Sequence, residues 1–162
     1  MQRLLDRALT HLGTKEVPGE QHNPKIVGWL KSFGKNLKKW ATGRDETAWC
    51  AVFTSAVLAE EGFRGTDHAL ASSYIKWGEP SLPVPGAVIV IKHKAGKDAR
   101  TGSTGGYHVG FLVELQKHYI VIVGGNQSNQ VKKSYFPRHK YAVVAMRKPS
   151  GLGLHVVAPR SQ

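Results

Sequence analysis

A chain of 162 residues that is 41% hydrophobic has apolar material for one sizeable core and too little for two, which predicts a single domain over 1–148 and a loosely ordered tail over 149–162. Its 23 Lys and Arg stand against 11 Asp and Glu, a formal charge of +12, so an anionic partner is expected. A single cysteine excludes an internal disulfide and any metal site that needs two cysteines, and no apolar run approaches the roughly 20 residues of a membrane span.

The N-terminal stretch Gln2 to Leu12 places Leu4, Leu5, Ala8, Leu9 and Leu12 at helical spacing. Charges throughout Met1 to Arg7 make it an amphipathic helix start rather than a signal peptide, so the expectation is synthesis in the cytoplasm with a separate route to any target outside it. After a polar turn at Pro18 and Gly19, Asn23 as N-cap and Pro24 at the first helical position predict a helix over Pro24 to Phe33. Lys35 to Lys39 is a basic cluster, either a solvated face or an anion site. A third helix should run from Thr47 or Ala48 to Glu61 and stop at Gly62, and a fourth from Ala69 to Trp77, ahead of Pro80. The second half reads as sheet, with strands at Ala87 to Lys92, Val109 to Leu115, Tyr119 to Val123 and Tyr141 to Arg147. Between the first two lies Lys94 to Gly106, polar, Gly-rich and aperiodic, a loop of the kind that forms lids or substrate walls. Gly151, Gly153 and Pro159 leave the tail without a pattern.

Cys50 falls where the third apolar helix begins. A lone thiol reads as a small buried hydrophobe, a surface accident or a nucleophile. A position in the first turn favours the last, because unpaired backbone N–H groups and the positive end of the helix dipole stabilise thiolate. His108, at the start of a strand, is either a histidine bonded to a backbone carbonyl or the base that takes the thiol proton. Asn126, just past the next strand, is either a turn residue that tolerates left-handed backbone or the group that orients the imidazole; Gln127, Glu114 or a backbone carbonyl compete for that role. Trp49 reads as core aromatic or cleft wall, and it joins Tyr107 and Gln127 as substrate-binding candidates. Glu46 is read as a first-turn carboxylate without a catalytic step. The other seven histidines, His11, His22, His68, His93, His118, His139 and His155, lack metal spacing and default to the surface.

Glu46-x-x-Trp49-Cys50, the strand Gly-Tyr-His108-Val-Gly-Phe and the segment Gly-Gly-Asn126-Gln-Ser-Asn-Gln-Val together resemble the phage and bacterial cell-wall hydrolases related to the NlpC-type and CHAP cysteine peptidases. Leu12 to Gly19 with Asn23-Pro24 is similar to their usual opening, and Trp77-Gly78 followed by Pro85-Gly86-Ala87-Val88 is similar to their Pro-Gly turn into the first core strand. The resemblance runs from about Leu5 to Arg147. It implies an α+β, papain-like core with N-terminal helices on an antiparallel sheet, and an endolysin-like enzyme in which Cys50 is the nucleophile, His108 the base and Asn126 the orienting residue. The implied reaction is hydrolysis of an amide in peptidoglycan, either within the peptide stem or at the sugar–peptide junction, by a monomer that acts on the wall after release and needs no cofactor. Many CHAP domains carry an acidic residue where this chain has Gly124 and Gly125.

The charge alone fits any polyanion, including peptidoglycan and other envelope polymers. No zinc-finger spacing, ribonucleoprotein signature or helix-turn-helix supports specific nucleic-acid recognition. Two other classes remain open: a non-enzymatic basic protein that binds wall polymer or nucleic acid, and a zinc amidase using histidines with Cys50.

Overall fold

The computed structural model describes residues 1–17, 22–37 and 49–151. Among them are three α-helices, α1 (Gln2–Leu9), α2 (Pro24–Phe33) and α3 (Cys50–Glu60), and a 3₁₀ turn at Ala71–Tyr74. Six strands follow: β1 (Glu79–Pro80), β2 (Val88–His93), β3 (Tyr107–Leu115), β4 (Tyr119–Gln127), β5 (Gln130–Pro137) and β6 (Tyr141–Lys148). They form one antiparallel sheet in the order β1-β6-β2-β3-β4-β5, so β6 returns to lie between β1 and β2. The fold is α+β, and no helix among the described residues is long and apolar enough to cross a membrane.

The central strands are buried on both faces, which explains unbroken runs such as Val88-Ile89-Val90-Ile91 where a half-buried strand would alternate. Val88, Val90, Val109, Phe111 and Val123 face the helices, while Ile89, Ile91, Leu112, Ile120, Ile122 and Phe136 make a second core on the opposite face. Helix α3 is apolar all round because it lies between the sheet and the other helices, with every residue from Cys50 to Leu58 buried. It ends as the sequence predicts. Gly62 takes a left-handed φ of 84°, its N–H bonds the Ala59 carbonyl, and Phe63 N–H reaches back to Leu58 O at 2.8 Å, which together close the helix. At the start of α2 the Asn23 side chain accepts from Lys25 N–H at 2.9 Å, again as predicted.

Several expectations need correction. Helix α1 stops at Leu9; the next residues turn through 3₁₀-type bonds and Gly13 at φ 89° into a segment that pairs with β5 through Lys15 and Gln130. The expected helix over Ala69 to Trp77 is only the 3₁₀ turn, because Tyr74 swings inward to share a hydrogen bond with Ser55 at 2.5 Å and the Ser73 hydroxyl bonds Thr66. Strand β4 runs on to Gln127, and β5 and the short β1 were not anticipated. Helix α3 begins at Cys50; the stretch before Trp49, with Glu46, lies outside the described residues, as do Lys38, Lys39 and 152–162 of the expected tail. His11 is not a surface residue: it is 9% exposed, bonds Glu60 at 2.7 Å and meets the Trp29 and Phe53 rings edge-on.

Candidate functional site

Cys50 is the first residue of α3, and the start of that helix sits against β3 and β4. A glycine makes room for it. A Cβ at Gly125 would lie 2.7 Å from both Phe53 and the Trp49 ring, so only glycine lets the helix start approach β4 this closely. Backbone N–H groups of Val109, Ala51 and Cys50 itself act on the sulfur, and Val109 is the residue after His108. The helix start and the strand bearing His108 therefore meet at the thiol.

His108 is wholly buried and its ring lies 5.6 Å from that of Phe136. Its Nε2 is 2.9 Å from Gln127 Oε1. The Gln127 amide nitrogen donates to Lys132 O at 2.7 Å and Ile122 O at 3.2 Å, so its oxygen must face the ring and accept. It follows that the neutral imidazole carries its proton on Nε2 and leaves a lone pair on Nδ1. That Nδ1 is buried and makes no hydrogen bond. Gly124 allows the pairing, since a Cβ there would stand 2.5 Å from Gln127 Oε1 and 3.2 Å from His108 Nε2.

Asn126 does not reach His108. Its side chain donates to Thr101 O at 3.0 Å, and its backbone is left-handed at φ 57°. The ladder between β4 and β5 slips between Gly124 and Gln127, and this bulge turns Gln127 toward the imidazole. Ser128 and Asn129, at φ 51° and 64°, then close a two-residue hairpin turn whose central residues both need positive φ. Glu114, another competitor, is exposed on the far part of β3 and accepts from Gln116.

Two of the three substrate-binding candidates are core residues. Trp49 is fully buried, donating from Nε1 to Glu16 at 2.9 Å and packing near Trp29, and Gln127 is fully buried as well. Tyr107 alone keeps accessible surface, with the Lys92 ammonium 5.7 Å from its ring. Residues that the sequence left unmarked surround His108 instead. Asp98 accepts from the Tyr141 hydroxyl at 2.8 Å, from Thr101 and from the Arg100 backbone N–H, while the Arg100 guanidinium lies 4.2 Å over the Phe136 ring. Ser128 N–H bonds Arg100 O at 2.9 Å, so the loop of 94–106 is anchored at several points. The available signal was the single acid in that loop, Asp98, amid lysines and glycines.

The thiol is not held as thiolate. Burial pushes Cys50 up to about 11, outweighing the backbone N–H groups that favour the anion, so the expected lowering by the helix start is overridden. Burial likewise pulls His108 down to about 4, against the Gln127 bond and the Asp98 charge, while Arg100 adds to the depression. At neutral pH both groups are uncharged. Among the described residues no three His, Cys, Asp or Glu side chains could hold a metal ion together. No protein-family model matches the chain, and no curated protein matches it.

Proposed function

We propose that the chain is a cysteine hydrolase of papain-like type that cleaves an amide bond of bacterial peptidoglycan. The observation that carries this reading is the Gln127-fixed tautomer of His108, which leaves a bare, buried Nδ1 on the residue that precedes Val109, whose backbone N–H reaches the Cys50 sulfur. His11 and His93 also bury a bare Nδ1, and what sets His108 apart is this place one residue before the Val109 N–H. Because thiol and imidazole are both neutral at rest, the proton leaves sulfur for Nδ1 as the sulfur attacks the amide carbonyl. The oxyanion forms near the N–H groups at the start of α3, His108 returns the proton to the departing amine, and water activated by His108 then hydrolyses the thioester. Gln127 takes the orienting role that the motif resemblance implied for Asn126.

Peptidoglycan as substrate rests on the motif resemblance and on the charge of +12, which suits a polyanionic wall reached after release from the cell that makes the protein. The test is mass spectrometry of purified peptidoglycan digested by the wild type and by Cys50→Ser. New amine and carboxyl ends produced by the wild type alone identify the bond; no new ends, together with salt-sensitive binding to wall polymer or nucleic acid, would replace the hydrolase with a basic binding protein.

A further inference from the structure

Helix α3 starts without a local cap. Its N-cap residue is Trp49, which has no short side-chain oxygen to receive the N–H groups of the first turn and makes no capping bond. The Trp49 carbonyl accepts from Phe53 N–H at 3.0 Å to open the helix, so whatever fixes Trp49 fixes Cys50 beside it. The indole supplies the hold. Its Nε1 donates to Glu16 Oε1 at 2.9 Å, and its ring lies against Gly125 of β4, where a Cβ would come within 2.7 Å of it. Glu16 belongs to the strap that follows α1, in which Gly13 N–H bonds Val131 O, Val131 N–H bonds Thr14 O, and Glu16 N–H bonds Asn129 O at 2.9 Å. Asn129 sits in the hairpin turn two residues after Gln127. Through its backbone on one side and its carboxylate on the other, Glu16 thus joins the hairpin that orients the imidazole to the helix that carries the thiol. Trp49 is wholly buried and Glu16 half-buried, so the bond between them is partly withdrawn from water, which strengthens it.

We propose that Glu16 is a positioning residue for Cys50, holding the start of α3 against the Gln127 hairpin through the Trp49 indole. The inference rests on the hydrolase reading and deepens it. Burial and backbone N–H groups are what act on the Cys50 thiol, so Glu16 works through the hydrogen bond it accepts rather than on the sulfur directly. A glutamine, whose carbonyl oxygen also accepts, can take its place.

Two measurements test it, the first independent of that reading. Alkylation of Cys50 by iodoacetamide needs no substrate. Glu16→Ala, and Trp49→Phe, which removes the N–H donor and keeps an aromatic ring, should let the helix start open and speed alkylation about threefold or more, as the loss of one hydrogen bond requires. Glu16→Gln should match the wild type. So should Tyr74→Phe, which deletes a buried hydroxyl bonded to Ser55 further along α3 and controls for stability alone. The second measurement is muropeptide turnover: kcat should fall about tenfold in Glu16→Ala and in Trp49→Phe with KM nearly unchanged, and recover in Glu16→Gln. Glu16→Ala combined with Gln127→Leu should lose less than the product of the two single losses, because both disturb one alignment. Wild-type alkylation in folded Glu16→Ala or Trp49→Phe protein overturns the proposal. So does a Glu16→Gln variant as altered as Glu16→Ala, or a Tyr74→Phe variant as altered as either, since charge or stability would then be the cause. Faster alkylation in the two variants, with no muropeptide cleaved by the wild type, retains the hold on Cys50 and removes the hydrolase.

Discussion

Gln127 decides which nitrogen of His108 carries the proton, and it does so because two backbone carbonyls fix which way its amide points. Gln127→Leu should therefore lower kcat by about tenfold, the worth of one neutral hydrogen bond, whereas Asn126→Gly keeps the left-handed backbone and should act mainly on stability through the lost Thr101 bond. Steady-state kinetics and urea unfolding of both variants separate the roles; equal kinetic damage would mean the imidazole is oriented through the Thr101 contact. The buried imidazole also makes stability depend on acid. With a folded value near 4 against 6.5 for the exposed group, the unfolded chain takes up a proton between those values that the native state refuses, so stability falls as pH drops from 6.5 toward 4 and this loss levels off below. The contribution is about 3 kcal/mol and should appear as the pH-dependent part of the difference between wild type and His108→Gln in urea unfolding followed from pH 7 to pH 4, the variant lacking it. For Cys50, with its thiol near 11, alkylation should climb with pH past 9; a plateau reached by pH 6 would show a resting thiolate and contradict the neutral pair.

At the scale of elements, what could be read from the sequence was what local chemistry decides. The Asn23-Pro24 start of α2, the Gly62 stop of α3 and the apolar strands β2, β3 and β6 follow from capping and burial, and so they appear where expected. The site was half legible for the same reason. Cys50 at a helix start and His108 near a strand start are local placements, but the third residue depends on a bulge. Alternation from Ile120 and Ile122 would put Asn126, not Gln127, on the His108 face, and only the left-handed backbone at Asn126 reverses that. Strand β5 was missed because Lys132 and Lys133 interrupt its apolar character, although Val131, Ser134 and Phe136 are its buried positions. The packing of α3 on β4 gives a test at this scale. Gly125→Ala forces a methyl group into Trp49 and Phe53, which should cost about 1–3 kcal/mol as overpacking does, and should change the Cys50 alkylation rate because the helix start must shift. A Tm and an alkylation rate both equal to wild type would mean that the helix and strand accommodate the methyl without moving the thiol.

For the whole molecule the dominant quantity is the charge of +12. Screening length falls from about 10 Å at 0.1 M salt to about 3 Å at 1 M, so attraction to an anionic mesh should weaken steeply with sodium chloride while cleavage of a small soluble muropeptide changes far less. Lysis of permeabilised cells and turnover of the soluble fragment, measured across the same salt series, check this. Equal sensitivity of the two would place the charge effect in the site itself rather than in capture of the wall.

The return of β6 between β1 and β2 has a further consequence, for the order in which the protein is made. Ribosomes release the chain from its N-terminus, so Cys50, His108 and Gln127 have all emerged before β6 exists. Tyr141, the first residue of β6, is the phenol that holds Asp98 and with it the Arg100 loop. A nascent chain would thus carry its thiol and base early, yet acquire the fixed wall beside them only when the last strand slides into the sheet. That timing would leave the loop of 94–106 without its Tyr141 anchor until β6 is in place.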